Sequence, residues 1–234
     1  MTNTHHSNSL ISIVPARAGS KGLVQKNIRS FCGSPLYLHA IKQGLRTTGN
    51  VIITTDIPEI HASDLPQGCL LHRREAHLST DTTSMSAVIH DVITKRHLKN
   101  KTIVLLQVTS PLRSDEDVLA CVNLYTKGRF SMAMSVVQVK NDILKCGTLS
   151  EDNTFKNVLH NKFCFFNRQD LPSVHKPNGA IYVFNSDSFL KSNDFPIEKI
   201  GVVEMSEERS FDIDTLADFS LAERIMDSSS PRHC

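Results

Sequence analysis

Short apolar runs, each closed by a polar loop and followed by a helical stretch, recur along this chain and leave it few architectures. Leu10-Ile-Ser-Ile-Val14, stopped by Pro15, reads as a buried strand. A helical stretch follows from about Pro35 to Arg46, then the β-branched run Val51-Ile-Ile-Thr-Thr55. The segment Ile57 to Gly68 is too short and proline-interrupted for a full helix, and Cys69-Leu-Leu71 reads as a minor strand. Met85, Val88, Ile89, Val92 and Ile93 recur at helical spacing, and Thr102-Ile-Val-Leu-Leu106 is continuously apolar, as a central parallel strand is. Ser114 with Asp117 starts another helix, whose inner face is Val118, Cys121, Val122 and Tyr125. Ser131 to Val139 alternates as a strand.

From Lys140 to Pro177 the rhythm stops. Polar turns and the cluster Phe163, Phe165 and Phe166 replace it, so this segment reads as an excursion from the sheet, in the form of a hairpin arm. Ala180-Ile-Tyr-Val-Phe184 and Ile200-Gly-Val-Val203 resume the strands. Thr215 and Asp218 cap a last helix with Leu216, Phe219, Ala222 and Ile225 inward. The expected fold is α/β: an open, mostly parallel, doubly wound sheet covered on both faces. Ligands bind such sheets at the carboxyl ends of the strands, so the loops after the first, fourth and last strands hold the chemistry.

Composition fits one domain. The 234 residues exceed a length prior of ~150 per domain by an appendage rather than by a second core. Hydrophobic residues make up 40%, enough for a substantial core, and the net charge of +2 supplies no bulk basic surface for nucleic acid. Residues Met1 to Ser9 are polar, and His5 and His6 there read as part of a frayed tail rather than a metal site. They lack a signal peptide's apolar core, and no later run approaches the ~20 residues of a membrane span. Cys32, Cys69, Cys121, Cys146, Cys164 and Cys234 are scattered with no C-x-x-C pair, which points to reduced thiols and the cytoplasm.

Four constellations carry candidate chemistry. Pro15-Ala-Arg-Ala-Gly-Ser-Lys-Gly22 with Lys26-Asn27 sets glycines and the cations Arg17, Lys21 and Lys26 beyond a strand end. That suits a polyphosphate, although a solvated basic turn fits the bare pattern equally well. It matches neither G-x-x-x-x-G-K-S/T nor G-x-G-x-x-G. Gln107-Val-Thr-Ser-Pro-Leu-Arg113 offers Gln107, Thr109 and Ser110 to a ligand, or merely caps the next helix. Asp212 and Asp214 sit at i and i+2, so in an extended segment both carboxylates reach one hard cation such as Mg2+; otherwise Asp214 only starts the last helix. Arg168 and Lys176 bracket the end of the excursion and suit a carboxylate, and Pro177-Asn178-Gly179 is a turn of unassigned purpose.

Taken in order, these blocks resemble the acylneuraminate cytidylyltransferase family, which includes the CMP-sialic acid synthetases. Arg73-Arg74 through Leu78 to Asp81-Thr82, Arg168-Gln-Asp-Leu-Pro172, Pro177-Asn-Gly-Ala-Ile-Tyr182 and Asp212-Ile-Asp-Thr215 join the first two loops in the match. It runs from about Ile11 to Ile225. The resemblance implies a nucleotide-diphospho-sugar transferase-like fold in a single domain, residues 1–234. Residues 140–177 would be its protruding dimerisation arm. It implies that CMP passes from CTP to the anomeric 2-hydroxyl of a nine-carbon keto-sugar acid, releasing pyrophosphate, with Mg2+ as cofactor.

Carried over residue by residue, it places Arg17 and Lys21 on the triphosphate and Asn27 near the base. Arg74 and the turn from Asp81 to Ser84 would border cytidine, and Asp212 and Asp214 would hold the metal. Gln107, Lys145, Arg168, Lys176 and Tyr182 fall to the sugar acid, with Phe195 shaping the wall that reads its acyl groups. Arg168 would serve the neighbouring subunit's site in a homodimer. No nucleic acid or membrane partner is implied. The sequence departs from the family pattern at Val24 and Val108, where prolines are usual, at Asp142-Ile143 in place of His-Pro, and at Asn167. Lys176 stands for an arginine and loses its bidentate fork. An eight-carbon acceptor of the 3-deoxy-octulosonate type and a non-catalytic binding module are the alternatives. The Arg168 and Lys176 blocks favour the longer acid, and a pure binder needs neither metal carboxylate.

Overall fold

A computed structural model describes residues 10–20 and 22–229. His5, His6, Lys21 and Cys234 therefore lie outside the described residues. In chain order the elements are β1 (Leu10–Ala16), β2 (Ser30–Phe31), β3 (Ser34–Pro35), α1 (Leu36–Thr48), β4 (Val51–Thr55), β5 (Cys69–Arg73), α2 (Met85–Lys95), β6 (Thr102–Leu106), α3 (Asp115–Thr126), β7 (Met132–Val139), β8 (Gly147–Leu149), β9 (Phe155–Asn157), β10 (Val174–Asn185), α4 (Ser186–Ser192), β11 (Ile200–Met205) and α5 (Leu216–Ser229). Seven strands form one sheet in the order β11-β7-β10-β6-β1-β4-β5. β5, β4, β1 and β6 pair parallel, as do β7 and β11, whereas β10 runs antiparallel to both β6 and β7.

The apolar runs fill both faces because consecutive strand residues point to opposite sides. Val14, Ile53, Val104 and Leu106 pack with Ala40, Ile41, Val118, Cys121 and Phe219 of α1, α3 and α5. Ile13, Ile52, Ile103 and Leu105 pack instead with Ile89, Val92 and Ile93 of α2 and Phe189 of α4. The sheet is doubly wound, as its continuous apolar strands require.

Helix starts follow the capping chemistry. The Ser114 hydroxyl accepts the Asp117 amide while the Asp117 carboxylate accepts the Ser114 amide. Thr215 and Asp218 make the same reciprocal pair ahead of α5. Leu216, expected inward, is exposed in the first turn of α5, and Phe219 and Ala222 supply the buried face.

The excursion is real but ends earlier than its composition indicates. Between β7 and β10 the chain leaves the sheet through short 3-10 turns and the β8–β9 hairpin. β10 then begins at Val174, pairing Val174 with Val139 and Pro177 with Val136, so Lys176 and Pro177 belong to the sheet. Nor does Pro177-Asn178-Gly179 reverse the chain. Gly179 does take the left-handed conformation (φ 80°), but as part of a bulge inside β10. Among the described residues no helix is long and apolar enough to cross a membrane.

Candidate active site

The parallel strands all present their carboxyl ends at one edge, where the loops after β1, β6 and β11 meet. A cleft of about 310 Å³ lies there, lined by Pro15, Arg17, Ser20, Gly22, Lys26, Asn27, Arg74, Met85, Gln107, Val108, Thr109 and Asp214.

Its floor is a junction of loops. Lys26 is buried, and its ammonium donates to the Ile213 carbonyl oxygen and lies 3.4 Å from Asp214 Oδ1. Gly22 passes so close to the Asp214 backbone that a Cβ there would overlap the Asp214 carbonyl oxygen. The Ile213 amide donates to the Thr109 carbonyl at 2.8 Å, and the Thr109 hydroxyl bonds the Asp212 carboxylate. Ile213 is fully buried between two exposed aspartates, so Asp212 and Asp214 share the outward face. Asp212 reaches solvent yet is walled in by protein. That desolvation raises its pKa, the nearby Asp214 charge adds to the rise, and the Thr109 hydrogen bond and Lys26 oppose it.

The opposite wall is cationic. Arg17 Nη1 pairs with Asp81 Oδ1 at 2.8 Å, and Asn27 Nδ2 donates to the Arg17 carbonyl at 2.9 Å. The Ala18 amide is held by Asp56 at 2.9 Å. Arg74 donates through Nη2 to the Thr54 carbonyl at 2.9 Å, while its buried Nε has no partner. Burial lowers the Arg74 pKa; Asp56 raises it and the Arg17 charge lowers it further. Asn27 Oδ1 is likewise buried without a partner. A buried polar atom with no partner is costly, and these two line a cleft that a polar ligand would enter.

Not every residue singled out from the sequence arrives here. Arg17, Asn27, Arg74, Gln107 and Asp214 line the cleft, and Asp212 stands beside it through Thr109. Asp81 holds Arg17, and Ser84 caps α2 by accepting the Ala87 amide. Tyr182 lies on β10 close enough to Asp212 that this charge, added to burial, raises its phenol pKa. Phe195 packs on Tyr182, Phe184 and Phe189 at centroid distances of 5.7, 5.3 and 5.4 Å. Lys145 and Arg168 stand in the excursion and Lys176 is exposed on β10, so within one chain none of the three lines the cleft. Arg168 borders a separate groove with Lys140, Glu204 and Glu207.

Three residues carry more of the arrangement than the sequence reading assigned them. Lys26 is the floor, Asp56 is the hook for the basic loop, and Arg113 is a buried clamp donating to the carbonyls of Gln107 and Ser110. Lys26-Asn27 directly after the glycines and Asp56 directly after a β-branched run were the available signals.

A mostly parallel doubly wound sheet with a cation-rich cleft at its carboxyl edge defines an α/β protein built to take an anionic ligand at its strand ends. The chain belongs to the cytidylyltransferase family, whose pattern matches residues 11–229. It is 30% identical over 213 residues to an N-acylneuraminate cytidylyltransferase of Streptococcus agalactiae serotype V, covering 89% of this chain and 51% of that protein. The chain thus spans about half the length of that relative. A CMP-N,N'-diacetyllegionaminic acid synthase of Legionella pneumophila is 28% identical over 229 residues, covering 93% of this chain and 96% of that one. The fold matches a CMP:2-keto-3-deoxy-manno-octonic acid synthetase solved with CTP, at a TM-score of 0.72 and 16% identity over 95% of this chain and 100% of the other.

Proposed function

We propose that this protein activates a nonulosonic acid by transferring CMP from CTP to its anomeric 2-hydroxyl, with release of pyrophosphate. The observation that carries this reading is the floor junction, where Lys26 joins the basic loop to the Asp212–Asp214 loop within a cytidylyltransferase cleft.

Mg2+ fits the donor set. Two outward carboxylates two residues apart, completed by substrate phosphates and water, are the usual protein share of a Mg2+ site. When bound, the ion would offset charge on the phosphate oxygens. Arg17, Arg74 and Lys26 surround the triphosphate with fixed positive charge, joined by Lys21 of the same loop. The sugar oxygen bonds to the α-phosphorus as the bond to pyrophosphate breaks, and the hydroxyl proton passes to the Asp212 carboxylate. Asn27 Oδ1 is free to accept a donor from the nucleotide.

The acceptor side needs a second subunit. The arm exposes Leu149, Val158, Leu159 and Phe165, the last with 89% of its surface in solvent, apolar area that a second subunit would cover. A homodimer through this arm gives Arg168 access to the partner's cleft, where it and Lys176 meet the acceptor carboxylate beside Lys145, Gln107 and Tyr182, with Phe195 as the wall. A cytoplasmic setting completes the reading, in keeping with free thiols at Cys32, Cys69, Cys121, Cys146 and Cys164.

Pyrophosphate release from CTP and Mg2+ is the test, across a panel of nine- and eight-carbon keto-acid sugars. Release with nine-carbon acids is expected. Release with the eight-carbon sugar alone selects the octulosonate reading, and no release with any member refutes the enzyme.

A further inference from the structure

The bulge at Asn178-Gly179 has no role in the chemistry above, yet it is built with unusual completeness. Between the pairs Pro177–Val136 and Tyr182–Met134, Asn178, Gly179, Ala180 and Ile181 all stand opposite Ser135. The Asn178 side chain is only 8% exposed and uses both ends of its amide. Oδ1 accepts from the Ser135 hydroxyl at 2.5 Å and the Ala180 amide at 3.2 Å. Nδ2 donates to the Ser210 hydroxyl at 2.9 Å and lies 3.3 Å from the Met205 sulfur.

These partners sort into two functional directions. Ser210 is two residues ahead of Asp212, at the root of the carboxylate loop. Its neighbour Arg209 is fixed by Asp117 at 2.9 Å. On the other side, the bulge places the Ala180 carbonyl where the Gln107 amide donates to it at 3.3 Å, and Tyr182 follows directly. One buried amide thus connects the loop bearing Asp212 to the strand segment bearing Tyr182 and to the start of the Gln107 loop. Bulges beside functional sites re-aim side chains, and this one lies between two segments that reach the cleft.

We infer that Asn178 is a positioning residue that fixes the Asp212 loop relative to Gln107 and Tyr182. It rests on the transferase reading for its kinetic consequence, though not for its structural one. Because it acts through Ser210, cutting that hydrogen bond should loosen the carboxylate loop and slow turnover while sparing nucleotide binding.

Full-length Ser210→Ala, Ser210→Thr and Asn178→Ala variants test this by amide hydrogen exchange of residues 206–215 and by steady-state kinetics. Ser210→Ala should speed exchange in that segment alone and lower kcat about tenfold, with KM for CTP changed less than about twofold. Ser210→Thr should restore both, and Asn178→Ala should cost about a hundredfold in kcat. If Asn178→Ala fails to fold, the Ser210 pair decides. Unchanged exchange and kcat in Ser210→Ala overturns the inference, as does equal loosening throughout the sheet. A wild-type protein releasing no pyrophosphate refutes the enzyme, and the exchange measurement then decides the role of Asn178 by itself.

Discussion

The Lys26 ammonium sits 3.4 Å from Asp214 Oδ1 and on the carbonyl of Ile213, so a buried cation of the first loop touches the last loop before α5. Lys26→Met should fold, because the butyl stem can be replaced by an apolar chain of similar length. It should nevertheless lower kcat by about 10²–10³, the usual cost of removing one preorganised charge donor. Lys26→Arg should not rescue it, since the planar guanidinium cannot occupy a site shaped for a point charge. Turnover of the two variants beside their melting curves checks this.

Gly22→Ala tests the same junction by steric means. The added methyl overlaps the Asp214 carbonyl oxygen, backbone that cannot swing aside. The loops must part, and overpacking of this kind costs about 1–3 kcal/mol. Lower stability together with lost turnover is expected; a fully active, equally stable variant would show that the loops do not meet there in solution.

Mixed dimers test whether Arg168 acts across an interface. Subunits carrying Arg168→Ala and Asp212→Ala should each be inactive alone. Reassociated in equal amounts, they should recover about a quarter of wild-type turnover, because half the dimers contain one intact composite site. Recovery near zero places Arg168 in its own subunit's site.

Acid should weaken one identifiable contact. The Arg46 guanidinium, bonded to Asp115 at 2.6 and 2.9 Å, holds that carboxyl below its usual range, and Gln43 adds to the effect against the opposing pull of burial. A depressed carboxyl pKa contributes stability above the unfolded value of ~3.9, which is lost as pH falls through the folded value. Arg46 is largely exposed, so screening limits the pair to about 0.5–1 kcal/mol. Urea unfolding of Arg46→Met should show that loss at neutral pH and progressively less of it as pH falls below the unfolded carboxyl value of ~3.9; a loss independent of pH would assign it to packing.

The strands and caps were legible because their causes are local. Val51–Thr55 and Thr102–Leu106 stand in the sheet with the bounds their apolar runs define, and Ser114 and Thr215 cap where their partners three residues on allow. The direction of β10 was not legible, since alternation records which face a residue occupies and not which neighbour it pairs with. The polar stretch Val174 to Pro177 hid a strand for the same reason. At the site, the residue types crowded at strand ends announced the loops. Pairings made over long sequence distances, Arg17 with Asp81 and Lys26 with Ile213, leave no local trace.

The antiparallel course of β10 has a consequence for how such a protein can vary. Because β7 leaves the sheet, and β10 re-enters it, at the edge that carries the cleft, the whole excursion is an outgrowth of that edge. Residues added between β7 and β10 would therefore lengthen the chain on the cleft side of the sheet and not on the far side.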